Sequence, residues 1–157
     1  MNRPPADSGP HYQALLELLR AAESLWNASR VFFARWDLSP SQFNVLNLLH
    51  DLPEGCSQMQ LSRQLITHRS NITGLVDRLE ARGLVRRENH PSDRRAFNVR
   101  TTPAGRALVE EILPHYYRSA EAVWNGVSAE RARRIVREMS ALGAAAQKIA
   151  GGLAENE

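Results

Sequence analysis

Between His11 and Trp36 the chain has neither glycine nor proline, and Tyr12, Leu15, Leu16, Leu19, Ala22 and Trp26 recur along it at helical spacing. This stretch reads as one long helix. A second apolar stripe, Leu18, Leu25 and Phe32, repeats every seven residues on another face, although a surface helix in a globular domain buries only one. The surplus face requires a partner, and a closed two-fold homodimer is the commonest arrangement that supplies one. The far end of the chain has the same character. From near Ser128, Ala132, Met139 and Ala146 alternate with Ile135, Leu142 and Ile149 in the narrow seam of helix-on-helix packing.

The middle of the chain is divided more finely. Ser39-Pro40-Ser41-Gln42 is a capping box with proline at the first helical position, opening a helix through Phe43, Leu46 and Leu49 that ends near Asp51. Ser57-Gln58-Met59-Gln60 repeats that logic for a short helix burying Leu61 and Leu65. Thr67 is placed to cap the next helix, with Ile72, Leu75, Val76 and Leu79 as its apolar stripe and Gly83 as its stop. The period then changes. Leu84–Glu88 and Ala96–Thr101 read as two strands, with Asn89–Arg95 as a long basic tip. Thr102-Pro103 starts a fifth helix, expected to bend at Pro114, and the last begins near Ser128.

With 157 residues, 43% of them apolar and 24% charged, the chain can bury a core as one globular domain, and disorder as its main state is excluded. A single cysteine forms no internal disulfide, and no apolar run approaches the roughly 18 residues of a membrane span, so the expected location is cytoplasmic. Charge is unevenly placed. Ser57–Arg106 holds ten arginines against Asp77, Glu80, Glu88 and Asp93, a net of +6 in a chain of net +3, which leaves −3 for the remainder. A basic middle between acidic ends is the asymmetry of a nucleic-acid reader.

A helix-turn-helix followed by a wing reads double-stranded DNA because a helix fits the major groove while a β-ribbon tip reaches the minor groove or backbone. With the apolar stripe turned inward, His68, Arg69, Ser70, Asn71, Gly74 and Arg78 are left facing outward, with Thr73 near the boundary, and these with the capping Thr67 are the DNA-binding candidates of the helix. Arg and Asn make bidentate contacts to guanine and adenine edges, and Ser and Thr bond bases or phosphates. Gly74 costs about 1 kcal/mol of helix stability relative to Ala, which close approach to the DNA backbone or a neighbouring helix would explain. On the hairpin, Arg86, Arg87, Arg94, Arg95 and Arg100 are concentrated together. At its tip an arginine gains from the potential of a narrow minor groove, and Asp93 beside Arg94 and Arg95 is placed to orient one through a forked pair.

These residues bear a resemblance to a known family. Leu38-Ser39-Pro40-Ser41-Gln42-Phe43, Leu61-Ser62-Arg63 with Ser70-Asn71-Ile72-Thr73, the run Val76–Val85, and Asp93-Arg94-Arg95 with Thr102 and Gly105 resemble the MarR family of dimeric bacterial winged-helix transcription regulators. The motifs cover about seventy residues, and the order of helices extends the likeness over nearly the whole chain. Thr101 departs from the pattern, standing where leucine is usual at the end of the second wing strand. The resemblance implies a homodimer on a palindromic operator, the helix from Thr67 to Arg82 in the major groove, Ser70, Asn71 and Thr73 at groove-facing positions, Asp93 and Arg95 as the wing-tip pair, and release on binding a small, frequently aromatic, ligand.

The expected fold is mainly α with a small β-hairpin wing. A single domain spans 1–157, with a winged helix-turn-helix DNA-binding region at 38–106 framed by long dimerisation helices at 10–36 and 107–151. The expected function is that of a ligand-responsive repressor; the alternative is a winged-helix protein-interaction module without specific DNA binding. Trp26, Arg30, Phe33 and Trp36 on the first helix, with His115 and Tyr116 on the fifth, are candidates for a pocket taking an aromatic or phenolic effector, or else for interhelical core. Cys56 precedes a helix start, a position that favours thiolate, though a small inert residue is the plainer reading. The five histidines show no metal-ligand spacing, and no P-loop, Rossmann glycines, G-x-S-x-G or H-E-x-x-H occurs. Hence no cofactor, metal or catalytic residue is expected.

Overall fold

Both capping boxes form. Ser39 Oγ accepts the Gln42 N–H at 3.2 Å while Gln42 Oε1 accepts the Ser39 N–H at 2.8 Å, and Ser57 and Gln60 repeat the exchange at 3.2 and 2.9 Å. Each box satisfies two of the N–H groups that a helix start leaves unbonded. In the computed structural model, which describes residues 9–65, 72–90 and 93–154 (backbone alone at 90, 93–96, 153 and 154), they open α2 (Pro40–His50) and α3 (Gln58–Gln64).

The long first helix, α1 (Pro10–Phe33), tightens into a 3-10 turn at Ala34–Trp36. It closes on Asp37 in the left-handed conformation, with Asp37 N–H on Ala34 O at 3.0 Å and Leu38 N–H on Phe33 O at 3.2 Å. This paired closure is a Schellman motif. The recognition-helix candidate α4 (Ile72–Ala81) ends the same way. Gly83, at φ 68°, bonds Glu80 O at 2.8 Å and Leu84 N–H bonds Leu79 O at 3.0 Å. The guanidinium of Arg82 then reaches back to the carbonyls of Asp37 and Trp36, the latter at 3.1 Å. A cation thus caps the end of α1, where helix carbonyls lack partners.

The wing differs from expectation. Its strands are β2 (Val85–His90) and β3 (Asp93–Thr101), so Asp93, Arg94 and Arg95 belong to a strand and not to a long loop. Pairing continues through Asn89 with Phe97 to His90 with Asp93, and a bulge at Asn89/His90 absorbs the mismatch. Polar residues carry it because ladder bonds are made by backbone, which every non-proline residue supplies. A third strand, β1 (Cys56–Ser57), pairs antiparallel with β3 and gives the sheet order β1-β3-β2. The sequence reading contains no such strand, since two residues have no readable period.

The chain divides into two compact units, Met1–Glu111 and Ile112–Glu157. In the first, Phe33 stacks on Phe43 with ring centroids 4.3 Å apart, and Leu46, Leu49, Leu61, Leu75, Leu79 and Val99 complete a core with no more than 1% exposure at any of them. The stripe expected on α4 is buried in full. Thr102 joins this core to the start of α5 (Pro103–Val123): its Oγ1 accepts the Gly105 N–H at 3.1 Å and donates to Gly83 O at 2.6 Å. Pro114 lies inside α5 without ending it. In the second unit, Ser128 Oγ accepts the Arg131 N–H at 3.3 Å and opens α6 (Ala129–Ala154), near the expected start. Among the described residues no helix is long and apolar enough to cross a membrane.

Candidate nucleic-acid interface

Helix α4 turns Ile72, Leu75, Val76 and Leu79 into the core and leaves Thr73 and Arg78 exposed, with Gly74 half-buried. Arg78 faces outward as expected, whereas Thr73, expected near the boundary, is exposed and Gly74, expected outside, is half-buried. Thr67, His68, Arg69, Ser70 and Asn71 lie outside the described residues. Asp93, Arg94 and Arg95 are placed on the first residues of β3 by their backbone alone.

The arginines of the wing are not one exposed cluster. Arg86 pairs with Glu88 at 2.7 Å, and Arg100 pairs with Glu88 at 3.2 Å while donating to Pro53 O at 2.6 and 3.0 Å. Arg87 crosses to α4, where its guanidinium pairs with Asp77 at 2.5 Å and with Glu80, and its backbone N–H donates to Glu80 Oε1 at 2.9 Å. Burial works against the charge of Arg87, but hydrogen bonds and attraction from Asp77 and Glu80 prevail and raise its pKa. So Arg86, Arg87 and Arg100, three of the five wing arginines, have carboxylate partners within the fold. Spacing along a strand does not reveal carboxylates contributed by another element.

Two residues that sequence reasoning missed complete this arrangement. Glu80 is one, and Gln58 the other: with its amide turned to satisfy both ends, Gln58 accepts from Arg87 at 3.3 Å and donates to Thr73 Oγ1 at 3.2 Å. The available signal was period two, since Arg87 shares a strand face with buried Val85 and so points toward the helices.

A cleft of about 430 Å³ lies beside the end of α1, lined by Trp26, Arg30 and Asp37 and by the first residues of α2. Two of the expected pocket residues are placed otherwise. Phe33 is 1% exposed and stacked in the core because its face of α1 packs on α2, and Trp36 donates from Nε1 to Glu111 at 2.7 Å. His115, 2.9 Å from Arg118, and Tyr116 belong to the second unit. Cys56 is 5% exposed, and burial pushes its thiol pKa up, opposite to the shift a reactive thiolate needs.

The sequence model of the MarR family matches residues 36–96, the stretch from Trp36 through α2, α3, α4 and the paired strands. Over that stretch the chain is similar to the MarR family. It is 28% identical over 131 residues to the HTH-type transcriptional repressor YetL of Bacillus subtilis strain 168, covering 83% of this chain and 78% of YetL. Two solved structures share its fold. BpsR of Bordetella bronchiseptica, whose DNA binding is regulated by 6-hydroxynicotinic acid, superposes with a TM-score of 0.74 at 24% identity over 90% of this chain and 98% of that one. MepR of S. aureus in complex with DNA gives 0.74 at 18% identity over 85% and 97%.

Proposed function

We propose that this chain is a MarR-type transcriptional regulator, a homodimeric repressor that reads an inverted-repeat operator and releases it when a small aromatic or phenolic acid binds. The observation that carries the reading is the placement of α4, seated on α2 and α3 with Arg78 turned outward, in the same unit as a paired wing that brings Asp93, Arg94 and Arg95 into one strand. A groove-reading helix beside a ribbon is the geometry that a winged helix uses. Repression is supported by the likeness to YetL, and ligand response by the cleft that Trp26 and Arg30 line, which combines an aromatic wall with a cation.

Pairing of two chains is supported separately within each unit. α1 buries only Phe33, leaving Tyr12, Leu15, Leu19 and Leu25 about half exposed, and α6 exposes Val136, Met139, Leu142 and Ile149. Helices this apolar need cover. A dimer with recognition helices about one helical turn of DNA apart, about 34 Å, reads two half-sites of opposite orientation.

Selection of bound duplexes from a genomic pool at moderate salt tests the reading, with Arg95→Ala and Asn71→Ala in parallel. An enriched inverted repeat is expected; Arg95→Ala should weaken binding to all sequences and lower the salt slope by about 1, whereas Asn71→Ala should change the preferred bases. Weak, salt-sensitive binding without enrichment would overturn it.

A further inference from the structure

The contacts of Arg87 tie three elements together. It lies on β2 opposite Val99, with a side chain only 22% exposed, and forks between Asp77 and Glu80, three residues apart on one edge of α4. One turn earlier on that edge Thr73 meets Gln58, the first residue of α3, whose amide oxygen faces Arg87. Thr73, Asp77 and Glu80 therefore form a line two turns long along α4, gripped from β2 and α3.

The grip fixes the rotation of the helix. Side-chain tips stand about 6 Å from a helix axis, so a roll of about 20° would carry them about 2 Å, beyond the tolerance of a hydrogen bond to a base edge. The same contacts settle a question of charge. Asp77 and Glu80 would be repelled by phosphates, and the guanidinium between them offsets one of their two charges, leaving none of its own for the DNA.

We propose that Arg87 is a positioning residue of the recognition helix, setting which bases are preferred without touching nucleic acid. This rests on the DNA-binding reading above. Its chemistry separates it from a phosphate ligand: lysine keeps the charge but cannot fork between two carboxylates. A phosphate contact would largely survive Arg87→Lys; the bracket on α4 would not.

The test measures affinity for the selected operator and for a random duplex across a salt series, with wild type, Arg87→Lys and Asp77→Asn, at temperatures well below each protein's melting point. Arg87→Lys should lower the ratio of operator to random affinity about tenfold with the salt slope unchanged. Asp77→Asn should lower the same ratio although it removes a negative charge near DNA, a sign that electrostatics alone would reverse. It replaces a carboxylate with an amide of equal shape, so it decides the matter if Arg87→Lys does not fold. An unchanged ratio in the folded variants would overturn the positioning role alone. A wild-type chain that enriches no duplex would overturn the DNA reading and this role with it.

Discussion

At Gly105 an added Cβ would lie 2.0 Å from the Leu84 carbonyl oxygen and 2.9 Å from its carbon. Both are backbone atoms at the start of the wing, and neither can swing aside. Gly105→Ala should therefore push the first turn of α5 away from Leu84 and cost about 2 kcal/mol, read as a lower urea midpoint with an unchanged slope. Cys56 makes a different prediction. Its thiol pKa is higher folded than unfolded, so the stability it contributes is complete below the ordinary thiol range and is lost as pH rises through the folded value. Cys56→Ala should flatten the fall in stability above about pH 8.5, and alkylation of the native protein should be slower than that of the unfolded chain. A pH profile identical to wild type would remove burial as the cause. The sequence placed this cysteine beside a helix start; only the fold buries it in a strand.

Among elements, the helix starts were the most legible, because a capping box is local chemistry whose donors and acceptors lie within four residues. Ser39→Ala and Ser57→Ala should each cost about 1 kcal/mol in chemical denaturation. They should differ in function. Ser57 caps α3, only seven residues long, whose first residue Gln58 carries the contact to Thr73 and Arg87. Ser57→Ala should weaken operator preference as well as stability, whereas Ser39→Ala should reduce stability alone; equal operator preference in both would count against the role of α3. The wing was less legible. Its two strands were read from their apolar ends, but pairing through Asn89 and His90 and the third strand at Cys56–Ser57 depend on which backbone comes alongside β3. Propensity weighs side chains, and the ladder is made of peptide groups.

For the whole molecule, the surplus apolar surface of α1 and α6 decides the expectation. Leu19 is 58% exposed in the single chain, as is Leu142, so a charge at either site disturbs no core. For the proposed dimer, Leu19→Glu combined with Leu142→Glu should leave the fold intact by circular dichroism, shift sedimentation to the monomer, and weaken operator binding about 100-fold, since one half-site no longer raises the local concentration at the other. A variant that remains dimeric would place the interface elsewhere.

By itself the sequence determined the helices, their capped starts and stops, the apolar stripe of α4, and the motifs by which the chain resembles the MarR family, because these rest on periods and caps that span a few residues. It also carried the surplus of apolar surface that asks for a second copy. The tertiary structure alone decided which arginines are paired. Arg86 and Arg87 are neighbours in the sequence, but a carboxylate ten residues before it holds Arg87 against α4. Phe33 likewise joined the core because α2 lies beside its face of α1. Ion pairing and burial depend on distance through space, and only folding brings those partners within reach.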